Sequence, residues 1–207
     1  SSADIQLGAK ESIEDTARVL GRMFDAIQFR GFKQEMVESL AEYSGVPVYN
    51  GLTDLYHPTQ ILADLMTVQE VFGTLKGIKL AFLGDGRNNV ARSLLIGCSK
   101  MGTDYTVVAP DGLQPDSQTL ELCREYAQRS GSKIEVTGDA KQGVKDADVL
   151  YTDVWVSMGE EEKSRERLET LRPYQVDEKM MAATGKSETI FMHLSLIHIS
   201  EPTRLRR

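Results

Sequence analysis

Two cysteines, three histidines and one tryptophan in 207 residues leave little material for several kinds of protein. Cys98 and Cys123 both fall in helical patterns, where buried free thiols are common. They are read as structural thiols of a cytoplasmic protein, not as a disulfide framework. No apolar run approaches the roughly 20 residues that cross a bilayer, and no signal-peptide pattern opens the chain. A net charge of −7 argues against nucleic acid or an anionic membrane surface as a partner. A few local cations could still hold a small anion. Internal repeats and low-complexity tracts are also missing. What is present is ordinary for a globular protein, 41% hydrophobic and 27% charged residues, enough for one large domain or two small ones.

The pattern alternates strand and helix. "SIEDTARVLGRMFD" opens with Ser12 three residues before Asp15, a capping arrangement, and its apolar positions Ile13, Ala17, Leu20 and Phe24 recur at helical spacing. A short strand "AIQFR", a helix stopped by Gly45, a strand "VPVYNGL" and a helix from Pro58 to Phe72 follow. The composition shifts at "GTLKGIKL". Beyond it come strands "IKLAFLGD", "DYTVVAP", "KIEVTGD", "DVLYTDVW" and "TIFMH", with helical patterns between them. This predicts an α/β protein of two doubly wound parallel-sheet domains, residues 1–72 and 73–193, with 194–207 as a separate tail.

In such sheets ligands sit at the carboxyl ends of strands, where helix amino termini point. Four places qualify. The first two are Arg30 after "AIQF", and His57 with Gln60 in "HPTQ". An imidazole and an amide there could hold a carbonyl, but a lone His-Pro pair is more often a helix cap, and a lone Arg a surface ion pair. The third is "GDGRNN". Gly84-x-Gly86 suggests a dinucleotide loop, yet Asn89 stands where the third glycine belongs, and a tight turn explains the glycines as well. The fourth is "DVWVSMG", where Asp153 ends an apolar strand and offers an anionic partner to an amine. Each of its residues alone is compatible with turn or core; the combination is less so.

Taken in order, "HPTQ", "GD…NN" and "DVWVSMGEE" resemble the aspartate/ornithine carbamoyltransferase family, over about Asp4 to His193. The "SMG" loop resembles the ornithine-using branch. The resemblance implies a transcarbamylase-type fold and transfer of a carbamoyl group from carbamoyl phosphate to ornithine, with no metal and no cofactor. It implies that Arg30 and His57 are catalytic, and that Arg30, His57 and Gln60 hold the carbamoyl group. Gln6 would reach the phosphate in a neighbouring subunit, in a homotrimer with shared active sites. Asn89 and Asp153 would bind the amino-acid end of ornithine, with Ser157 and Met158 from a closing loop. A dinucleotide-binding module and a non-catalytic interaction subunit are the alternatives.

Two family elements are missing: a Ser-x-Arg-Thr motif expected before residue 1, and His-Cys-Leu-Pro, where Leu194 follows His193. The run "LSLIHISEPTR" looks like a translated sequencing adapter, so residues 194–207 are read as non-native and His198 as no ligand. The chain as it stands is expected to fold poorly and to form citrulline only near background.

Overall fold

The structure, a computed structural model, describes residues 11–155 and 164–194. The chain divides into two compact units, Ser1–Ala63 and Asp64–Arg207.

In the first unit, α1 (Ile13–Met23) begins where Ser12 accepts the Asp15 N–H at 3.1 Å. Ile13, Ala17 and Leu20 face inward as the spacing predicts; Phe24 does not. The helix ends one residue earlier, Phe24 is extended, and its ring is 54% exposed. β1 (Ile27–Arg30), α2 (Gln34–Ser44) and β2 (Val48–Leu52) follow, and Gly45 closes α2 in the left-handed conformation. Ala17, Phe29, Val37 and Leu40 form the core. α1 and α2 pack so closely that a Cβ on Gly21 would lie 1.7 Å from the Ser44 carbonyl oxygen.

β1 and β2 run parallel, and their register slips between Phe29↔Asn50 and Arg30↔Leu52. Gly51 is the extra residue, and bulges of this kind re-aim the side chain beside them, here Arg30. The loop after β2 is tied down from within. The Thr53 hydroxyl donates to Gln34 Oε1 at 2.7 Å, and the Thr53 N–H donates to the Tyr56 carbonyl at 2.8 Å. The Asp54 carboxylate accepts the Gln34 N–H at 3.1 Å, capping α2 where Lys33 makes no side-chain cap. The unit boundary falls inside α3 (Pro58–Phe72), whose first residue is the proline after His57.

The second unit contains β3 (Lys79–Leu83), α4 (Asn89–Met101), β4 (Asp104–Val108), α5 (Ser117–Ser130), β5 (Ile134–Thr137), α6 (Ala140–Val144), β6 (Val149–Thr152), α7 (Ser164–Leu171), α8 (Glu178–Ala183) and β7 (Ile190–His193). Short 3-10 turns lie at Asp111–Leu113 and Arg172–Tyr174. The sheet is parallel throughout, in the order β5-β4-β3-β6-β7. Its central strands are apolar on both faces because helices cover both. Ala81, Leu83, Val108 and Leu150 meet the side of α6, α7 and α8. On the other face the Phe82 and Tyr151 rings stack at 6.0 Å, and the Tyr105 hydroxyl donates to the Ala91 carbonyl of α4 at 3.1 Å.

α8 was not expected from the pattern. Asp177 caps it by accepting the Met180 N–H at 2.8 Å, and Met180 and Met181 pack on the core. Cys98 and Cys123 are both buried and unoxidised.

This strand order reverses direction between β3 and β6, and that crevice is where open α/β sheets bind ligands. The loops that leave it are "GDGRNN" and "DVW".

Candidate active site

In the first unit, Arg30 stands exposed at the end of β1, past the bulge. His57 is only 8% exposed and precedes α3, its carbonyl accepting the Ile61 N–H. Gln60, half-buried, lies in the first turn of α3. Burial, and then the positive charge of Arg30, pull the His57 imidazole below the ordinary histidine range. At neutral pH His57 is therefore uncharged, a ring with one N–H donor and one acceptor nitrogen.

In the second unit the two crevice loops meet. Asp153, 7% exposed, accepts the Val154 N–H at 2.8 Å and lies 3.5 Å from the Asn88 amide nitrogen. Burial raises its carboxyl to about 6; the Val154 N–H and His193 oppose the rise, and the charge of Asp64 adds to it. His193 reaches this place because it is paired in register with Thr152. The result is a carboxylate with few compensating cations, a fit partner for a ligand ammonium group.

Asn88 is a residue the sequence reading passed over. It is the extended N-cap of α4, accepting the Ala91 N–H at 2.7 Å, while Asn89 is the first helical residue and half-buried. An apolar strand end followed by a helix start is the signal that could have singled it out.

A second node also gave no advance notice. Asp85, 8% exposed, accepts from the Arg167 guanidinium at 2.6 Å and from Arg87 Nε at 3.1 Å. Burial alone would raise the Asp85 carboxyl, but the hydrogen bonds from Arg87 and Arg167 outweigh it and hold it below the ordinary range. Arg167 Nε donates onward to the Trp155 carbonyl at 2.8 Å. One arginine of α7 thus pins the turn after β3 to the loop after β6.

The glycines of "GDGRNN" have local reasons. Gly84 holds φ +140, and a Cβ on Gly86 would lie 2.7 Å from Val107 Cγ1 and 3.1 Å from the Leu113 carbonyl. Neither requires a nucleotide. Gln6, Ser157 and Met158 lie outside the described residues, as do residues 195–207. No group of three or more His, Cys, Asp or Glu arranged to hold a metal occurs among the described residues. Nor is any described helix long and apolar enough to cross a membrane.

A parallel sheet with a polar, amine-receptive crevice defines an open α/β small-molecule-binding protein. More particularly, the chain belongs to the aspartate/ornithine carbamoyltransferase family. Residues 1–70 match its carbamoyl-P binding domain, and residues 76–195 its Asp/Orn binding domain. Over 193 residues the chain is 67% identical to an ornithine carbamoyltransferase of Pseudothermotoga lettingae, covering 93% of this chain and 62% of that protein. It is 60% identical over 190 residues to a protein of Bacillus licheniformis named as the catabolic enzyme, covering 92% of this chain and 57% of that one. The structure of the ornithine carbamoyltransferase from Pyrococcus furiosus superposes with a TM-score of 0.91 at 46% identity, over 97% of this chain and 64% of that one. The chain therefore spans a little under two thirds of the length of these relatives.

Proposed function

We propose that the protein carrying this chain is an ornithine carbamoyltransferase, which transfers the carbamoyl group of carbamoyl phosphate to the δ-amine of ornithine. The observation that carries the reading is Asp153, a carboxylate buried at the switch point of a family Asp/Orn binding domain. The names of the relatives support ornithine as the acceptor.

The chemistry needs no cofactor. The neutral δ-amine attacks the carbonyl carbon, a C–N bond forms, and the C–O bond to phosphate breaks. The proton lost by the new amide leaves with the phosphate. Negative charge gathers on the carbonyl oxygen during attack. Arg30 and neutral His57 would donate to it, each such donor being worth about 3–4 kcal/mol in a dry site. Gln60 would orient the carbamoyl amide. In the second unit Asp153, with Asn88 and Asn89, would hold the amino-acid end of ornithine. Holding two reactants in attack geometry supplies much of the remaining acceleration. We assign Gln6 to the phosphate of a neighbouring subunit's site in a cytoplasmic homotrimer, Ser157 and Met158 to ornithine, and the citrulline formed to arginine biosynthesis.

The test is direct. Protein expressed from its complete gene should release citrulline and phosphate in equal amounts from carbamoyl phosphate and ornithine, with no carbamoyl transfer to aspartate. A folded protein that carbamoylates aspartate, or neither acceptor, overturns the reading. Light scattering that finds a monomer would overturn the trimer.

A further inference from the structure

Asp64 is a second buried carboxylate near Asp153, and nothing in the reaction above uses it. It is 5% exposed on α3, and acids are almost never buried to this degree without a compensating partner. One partner is the Tyr151 hydroxyl, which donates to Asp64 Oδ2 at 3.0 Å. The Tyr151 ring is immobilised in turn, fully buried and stacked on Phe82. Asp153 follows β6 directly, two residues after Tyr151, and is buried as Asp64 is. Asp64 and Asp153 therefore share one water-poor region at the end of the central strands.

We propose that Asp64 is a positioning residue that acts on Asp153 by charge, so that capture of the ligand ammonium at the end of β6 is coupled to release of a proton. The coupling follows from the groups that face Asp153. β6 contributes the Tyr151 hydroxyl, which burial and then Asp64 keep protonated well above the usual phenol range. β7 contributes His193, α3 contributes Asp64, and the N-cap of α4 contributes the neutral amide of Asn88. Two like charges in one low-dielectric region resist ionising together. With the site empty, Asp64 raises the cost of charge on Asp153. An incoming ammonium removes that cost, so near and below pH 6, where Asp153 is partly protonated, it ionises and a proton leaves. The site favours the ligand above the titration of Asp153 and loses it below. The inference rests on the proposed function only in naming ornithine as the amine.

Two measurements on the full protein separate the inference from that reading. Carbon-detected NMR of aspartate labelled at Cγ, with Asp153→Asn to assign the signal, reads Asp153 without any ligand. Its midpoint should lie above the ordinary carboxylate range, and Asp64→Asn should move it down by about half a pH unit or more. The asparagine keeps the shape and the acceptor for Tyr151 and removes only the charge. Calorimetry of ornithine and of 2-aminopentanoate, which lacks the δ-amine, then follows binding against pH. In Asp64→Asn binding should persist to lower pH. A role confined to packing would weaken binding equally at every pH. If the Asp153 midpoint is ordinary, or Asp64→Asn leaves it in place, the proposal is overturned. Should Asp64→Asn not fold, Asp64→Ser, which also removes the charge, is read in the same way. If Asp153 titrates as described and neither ligand binds, it is the ornithine reading that fails.

Discussion

Replacing Arg167 by methionine should be among the most damaging changes in the second unit, although the residue lies in a helix crowded with charge. Arg167 and Asp85 have side chains only 10% and 8% exposed, joined at 2.6 Å. Removing one partner of a buried pair costs about 3–5 kcal/mol, because the other is left charged and poorly solvated. Asp85 keeps Arg87, whose side chain is 46% exposed, so the low end applies, about 3 kcal/mol. The Trp155 carbonyl also loses its donor, adding about 1 kcal/mol. A loss of roughly 3–4 kcal/mol corresponds to a fall in Tm of roughly 6–16 °C for a protein of this size. The assay is chemical unfolding followed by tryptophan fluorescence. The chain has one tryptophan, and its carbonyl is part of the node. Asp85→Asn combined with Arg167→Met should cost markedly less than the sum of the two single changes, since no buried charge is left without its partner and Arg87 is solvent-exposed. A loss below about 1 kcal/mol for Arg167→Met would show that the pair does not carry this junction.

Asp153→Asn should stabilise the fold at pH 7.5 while abolishing ornithine binding. The raised carboxyl favours folding below the unfolded value near 3.8, and that contribution is lost as pH rises through about 6; removing the charge recovers on the order of 2–3 kcal/mol. An unchanged or lower midpoint in urea would contradict this. Gly21→Ala, normally a gain in a helix interior, should instead destabilise the first unit by about 2 kcal/mol or more, because the obstacle at 1.7 Å is backbone. A thermal melt that moves upward would show that α1 and α2 can separate. For His57 the folded value lies below the unfolded one, so its contribution is present above about pH 6.5 and is lost as pH falls through the folded value. His57→Gln should flatten the stability profile between about pH 7 and 5, and equal slopes in both proteins would contradict the assignment.

The sequence made the alternation of elements readable because the strands of the second unit are short apolar runs bounded by glycine and polar turns. Strand ends then marked Asp153, an acid that follows "VLYT" in the combination "DVWVSMG", which turn or core explains less well than it explains each residue alone. Three site features stayed hidden for different reasons. The choice between Asn88 and Asn89 depends on which residue is extended and which is helical, and two adjacent asparagines give no preference. Arg167 lies among Arg165, Glu166 and Glu169, where one buried charge looks like the exposed ones around it. Asp64 was legible in principle. Ile61, Leu65 and Val68 form the buried stripe of α3, and Asp64 falls three residues after the first and four before the last, which places it on that stripe.

His57 and Asp153 are shifted in opposite senses, and burial is the leading cause of both shifts. Burial always favours the neutral form, so it lowers a base and raises an acid. For the role proposed for His57 the outcome is suited at once, because a neutral imidazole can donate to a developing oxyanion and still accept elsewhere. For the role proposed for Asp153 the same force is opposed, since an ammonium needs a charged partner. In the proposed reaction the first unit would hold its donor form at rest, burial and Arg30 both favouring the neutral ring. The second would carry a costly charge on Asp153 until its ligand completes the ion pair, and the proposed action of Asp64 would add to that cost. At pH 7.5 a carboxyl raised to about 6 is already ionised in the empty site, at a cost to the fold that the proposed ammonium would offset.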